Sequence, residues 1–167
     1  AVLTTKAIDP QLAKEGAVVC EATNYARDLI NTPPKDCTPH TLMLAARNLA
    51  RSSGMACSIM DRGALKRMGA NLILAVASGS AEAPYLIRLT YRPRRARKVV
   101  TLVGKGVTFD SGGLSIKSGA GMESMKSDMS GAAAVLGVMK AIAILKPRVE
   151  VRAYIPTVEN MINGAAV

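Results

Sequence analysis

The sequence predicts an α/β fold with a largely parallel sheet. Three observations carry this reading: helical and strand-like segments interleave along the chain, the run Lys98–Val103 reads as a buried parallel strand, and a long glycine-rich loop follows it directly. Length and composition agree. The chain has 167 residues, 49% hydrophobic and 20% charged, which suffices for one real core and excludes a disordered tail.

The elements follow in order. Asp9 reads as an N-cap with Pro10 at the first helical position, and Leu12, Val18, Val19, Ala22, Tyr25, Ala26, Leu29 and Ile30 recur at helical spacing. An amphipathic helix is therefore expected over 10–30, stopped by Asn31-Thr32-Pro33-Pro34. Thr38-Pro39 repeats the start signal, for a second helix to about Ser52 closed by Gly54. Residues 55–60 have strand length, and Asp61 can cap a brief helix through Met68. Further strands are expected at Leu72–Ala77, at Tyr85–Tyr91, which alternates, and at Lys98–Val103. Residues 104–121 read as one long ordered loop, the place where α/β proteins keep their chemistry. Met122–Leu145 then reads as a single long helix whose middle, Ser130–Ala134, is stripped of bulk so that it can lie close to a neighbour. Val149–Tyr154 alternates as a last strand, and no internal repeat is present.

Several function classes fall away. With no Trp, one Phe and four Tyr, the chain lacks the rings of a stacking platform for single-stranded nucleic acid. The formal charge is +10, and Arg92–Lys98 places five positive charges in seven residues. Such a run is usually a solvated turn; a phosphate or DNA contact is the alternative. No apolar run approaches the roughly 20 residues of a membrane span, and no signal peptide is visible, so no membrane partner is expected. Cys20, Cys37 and Cys57 are odd in number and form no CxxC, which suits reduced thiols in a cytoplasmic protein. His40 is the single histidine, so sites built on two or three histidines are excluded. It is expected as a solvated residue in a first helical turn.

The run from Gly104 to Lys117 carries neither GxxxxGK[ST] nor GxGxxG, so it is no nucleotide cradle. It carries Lys105, Asp110 and Lys117 in a glycine-rich frame, and Asp128 follows on the next helix. Two carboxylates can hold a hard divalent cation or work as an acid–base pair, and lysines beside them favour the charged form. Lys–Asp ion pairs that only brace the loop would give the same pattern.

The runs VGKGVTFDSGGLSIK and MESMKSDMSGAAAVLG resemble the leucyl aminopeptidase (cytosol aminopeptidase) family of two-metal exopeptidases. Ala26–Pro34 and Pro156–Met161 extend the likeness over most of the chain. The resemblance implies a three-layer α/β/α fold with a mixed sheet, incomplete in this chain. Residues 1–24 would be the connecting helix from a missing N-terminal domain, and 25–167 the first half of the catalytic domain. It implies that Lys105, Asp110 and Asp128 ligate two divalent ions, manganese, zinc or magnesium, with Asp110 shared between them. Lys117 would stay protonated and stabilise the oxyanion as metal-activated water attacks a peptide carbonyl. Met125 would line the pocket for the substrate's first side chain; plain helix packing explains it equally well. The family's second motif, Asn-Thr-Asp-Ala-Glu-Gly-Arg, is absent from these residues, leaving three of five metal-binding side chains. The expectations that follow are peptide substrates, a homo-hexamer in full-length relatives, and little or no activity in the 167 residues alone. A further expectation is an exposed apolar face that promotes self-association.

Overall fold

Local signals place the first helices in the computed structural model, which describes residues 9–167. α1 (Pro10–Asn31) starts where the Asp9 carboxylate accepts the Gln11 amide at 2.8 Å. α2 (Pro39–Ser53) opens on a reciprocal cap. Thr38 accepts the Thr41 amide at 3.2 Å while the Thr41 hydroxyl accepts the Thr38 amide at 2.8 Å. Gly54 closes it at φ 67°, a left-handed position that glycine takes without strain. After β1 (Ala56–Met60), Asp61 caps α3 (Arg62–Met68) by accepting the Ala64 amide at 2.8 Å. These elements agree with the sequence reading to within a residue or two. His40 is exposed in the first turn of α2, as expected.

The sheet is built around β5 (Glu150–Asn160), which pairs antiparallel with β2 (Tyr85–Tyr91) on one side. On the other side it pairs parallel with β3 (Val99–Val103) and then with β4 (Gly106–Asp110). β1 closes the far edge antiparallel to β2, so β2 alone runs against the other strands. One face of the sheet, with Ile87, Leu89, Ala153 and Ile155, is buried under α2 and α6 (Ser130–Leu145). α1 lies across α6 so closely that a Cβ on Gly137 would sit 2.8 Å from the Ala22 carbonyl oxygen. The opposite face carries α3 and α4 (Asn71–Val76), with Ile73 and Ala77 packed on Val107 and Val158. The arrangement is α/β with layers on both faces of a mixed sheet.

Several boundaries differ from the sequence reading, each for a physical reason. Residues 72–76 of the expected strand 72–77 belong to α4, with Ala77 as its C-cap: a short apolar run does not distinguish strand from buried helix, and the turn brings Ile73 and Ala77 inward together. The 104–121 stretch is not a continuous loop, because β5 runs on past Tyr154 and offers β4 a parallel ladder. Pro156 falls at the seam where β3 pairing ends and β4 pairing begins, a stretch of β5 that lacks a partner on that side. β3 is parallel but not buried: Val99 and Val103 are 52% and 72% exposed, because β3 lies at the end of the sheet.

The expected helix over 122–145 is broken into α5 (Gly119–Met122), a 3-10 turn at Met125–Ser127, and α6. Its start is set by tertiary contact. The Ala132 amide donates to the Lys105 carbonyl at 2.8 Å, and Gly104 and Gly131 meet so tightly that a Cβ on Gly104 would lie 2.6 Å from the Gly131 oxygen. Gly119–Leu145 has the length of a membrane span and contains an 18-residue window with mean hydropathy 1.6, more than the sequence reading allows. In the structure the stretch is interrupted, and α6 alone, at 16 residues, rises only about 24 Å with its inner face in the core. α1 runs unbroken across the expected domain boundary at residue 24; residues 1–8 of the expected connecting helix lie outside the described residues.

Candidate metal centre

β4 is the backbone of the site. Lys105 immediately precedes it and Asp110 ends it. Between Val107 and Asp110 the register with β5 slips: three steps on β4 match two on β5, from Val158 to Asn160. This bulge shortens and twists the strand between the lysine and the aspartate, a device common beside functional sites.

After Asp110 the chain folds back on itself through Gly112 and Gly113, at φ 92° and 61°. The Gly112 amide donates to Asp110 Oδ1 at 2.9 Å, and a Cβ at Gly112 would collide with the Ser115 carbonyl, so only glycine fits. The turn returns Lys117, whose Nζ lies 2.6 Å from Asp110 Oδ2. Burial pushes the Asp110 carboxyl up. Hydrogen bonds from Lys117, Gly112 and Asn160, with the Lys117 charge, outweigh it and hold the group below its ordinary value.

Asp128 ends the 3-10 turn, and its amide donates to the Met125 carbonyl at 3.3 Å. Lys126 ties the turn to the end of α1 through the Asn31 carbonyl at 3.1 Å. Asp128 Oδ1 is 2.8 Å from Lys105 Nζ, while Asp128 Oδ2 is buried with no hydrogen-bond partner among the described residues. A buried carboxylate oxygen left without a donor is costly unless a cation meets it. The structure thus brings Lys105 to Asp128 and Lys117 to Asp110, with the 3-10 turn packed on β4. Met125 is half-buried one turn before Asp128.

Among the described residues no group of three or more His, Cys, Asp or Glu side chains gathers at one point. Asp128, with one buried oxygen lacking a donor, and the Lys105 amine beside it have the donor chemistry of part of a divalent-cation site. The Lys105 side chain is 60% exposed and free to exchange its ion pair for another contact, whereas Asp128 is fixed at 18%.

The sequence reading misses Asn160, whose side-chain amide donates to Asp110 Oδ1 at 2.7 Å. Its only signal is its place in the family-like run Pro156–Met161, where spacing gives it no role. Elsewhere the thiols fit the reading: burial pushes Cys37 and Cys57 up, with Arg47 opposing it at Cys57, and all three cysteines are free. Arg94, Arg95 and Arg97 are exposed in the turn between β2 and β3, while Arg92 folds back on Glu150 at 2.9 Å.

Comparison with known proteins meets this geometry. The catalytic-domain model of the cytosol aminopeptidase family matches residues 24–167. A probable cytosol aminopeptidase of Solibacter usitatus is 51% identical over 87% of this chain, and one of Persephonella marina is 48% identical over 92%. The chain spans about a third (31%) of the length of these curated relatives. The solved structure of the bottromycin maturation enzyme BotP in complex with Mn superposes with a TM-score of 0.89 at 42% identity, covering 95% of this chain and 35% of that one. The matched residues include the whole β4–α6 segment with its two lysine–aspartate pairs, and the chain belongs to the cytosol aminopeptidase family.

Proposed function

We propose that this chain carries part of the catalytic domain of a metal-dependent aminopeptidase, which releases N-terminal residues such as leucine from peptides. The buried Asp128 Oδ2, without a hydrogen-bond donor among the described residues and beside the Lys105 amine, carries the reading, because a cation there would satisfy it. Lys105, Asp110 and Asp128 would hold the ions. The likeness to BotP, solved in complex with Mn, supports a divalent metal. When bound, such ions supply positive charge that acidifies water and polarises a carbonyl.

The other roles belong to this chain's own side chains. Lys117 keeps a proton on Nζ and directs it, through a half-buried position, at negative charge developing on the substrate oxygen. Met125 offers an apolar surface one turn away for the substrate's first side chain. Residues 1–24 would be the segment that connects to the catalytic domain and 25–167 the first part of that domain, with peptides as the partners.

With one amine and two carboxylates, the 167 residues alone are expected to hydrolyse leucine p-nitroanilide at background rate. The test is a chimera that joins them to the remaining segment of the Solibacter usitatus relative. It should hydrolyse the anilide with Mn2+ and lose about 10²–10³ in kcat on Lys117→Ala. A folded chimera without Mn2+-dependent hydrolysis contradicts the assignment.

A further inference from the structure

Among the groups around Asp110, one has no assigned part. Asp110 Oδ1 accepts two hydrogen bonds, from Asn160 Nδ2 at 2.7 Å and from the Gly112 amide at 2.9 Å. Its Oδ2 meets only Lys117. The two oxygens are therefore inequivalent: one is held by neutral donors, the other by the charged Lys117 ammonium. Asn160 is itself fixed. It pairs in register with Asp110 across the β4–β5 ladder, its carbonyl accepts the Ser111 amide at 3.0 Å, and its Oδ1 closes against Gly113 so tightly that a Cβ there would sit at 2.8 Å. The preceding residue, Glu159, anchors the strand end by accepting the Ser80 hydroxyl at 2.5 Å.

We propose that Asn160 is a positioning residue for the metal centre: its amide sets the rotation of the Asp110 carboxylate so that Oδ2 is aimed at the cation. This rests on the reading of Asp110 as a ligand. Hydrogen-bond partners that orient a metal ligand typically contribute a factor of about 10–100 in metal affinity. The register with β5 fixes the Asp110 backbone, and the Asn160 amide fixes the rotation of its carboxylate.

The experiment titrates the protein and its Asn160→Leu and Asn160→Ala variants with Mn2+, and records Co2+ d–d spectra of each. Leu keeps the branched heavy-atom shape of Asn and removes the donor; Ala removes both. The expected result is an Mn2+ affinity weaker by about 10–100-fold in both variants, with an altered Co2+ band shape, at unchanged circular dichroism in metal-free buffer. Packing alone would leave the Co2+ spectrum of the Leu variant unchanged. Unaltered affinity and spectrum in a folded variant overturn the proposal while leaving the metal centre standing. A parent protein that binds no Mn2+ overturns the metal reading itself. If both variants unfold, a Mn2+-soaked crystal structure of the parent decides: the proposal requires Asn160 Nδ2 to remain within hydrogen-bond distance of Asp110 Oδ1, and separation overturns it.

Discussion

At the scale of single residues, charge compensation governs what this chain can do. Each carboxylate of the candidate centre meets a lysine, and only Asp128 Oδ2 is left wanting a donor. Glu150 is the counter-example, a buried carboxylate satisfied entirely by protein: Arg92 and Arg152 donate to it at 2.9 and 2.7 Å. Those hydrogen bonds hold its carboxyl below the ordinary 4.5. The unfolded chain therefore takes up the proton at higher pH than the folded one, so the stabilisation is whole above the ordinary value and drains away as pH falls through the lowered folded value. Thermal melts below about pH 5 should show this loss, and Glu150→Gln should flatten part of it. An identical pH profile in the variant would contradict the assigned ion pairs.

At the scale of elements, the decisive contacts are backbone to backbone. α6 docks on the 104–105 segment through two glycines, so Gly104→Ala forces a Cβ against the Gly131 oxygen and should cost about 1–3 kcal/mol in chemical denaturation. Leu136→Ala, a cavity in the main core, should cost about 2–5 kcal/mol. An alanine at position 104 that is neutral would mean that the helix start is not fixed there. These contacts also explain what the sequence could and could not tell. Caps written in single residues, Asp9, Thr38, Gly54 and Asp61, were legible because the signal and its consequence lie within one turn. β4 was not, because Gly106-Val-Thr-Phe-Asp110 becomes a strand only when the far end of β5 lies beside it, some fifty residues on. The break before Ser130 was hidden for the same reason. Lys105, Asp110, Lys117 and Asp128 were legible as a pattern of residue types, whereas Asn160 was not, because its meaning lies in a cross-strand register that spacing does not reveal.

At the scale of the molecule, one side of the sheet is uncovered. β3 ends the sheet with Val99, Val100 and Val103 at 52%, 43% and 72% exposure, and Val138, Ile144 and Leu145 lie open on the outer surface of α6. Apolar area of this kind favours contact between chains, so the 167 residues in isolation should self-associate at micromolar concentration in light scattering. A monodisperse monomer would contradict that. The most direct test of the metal centre is a calorimetric titration of the chain with Mn2+ beside its Asp128→Asn variant. Saturable binding is expected, weakening by about tenfold or more when the waiting carboxylate oxygen is lost. Equal binding by the two proteins, or none by the parent, would contradict a cation site at Asp128.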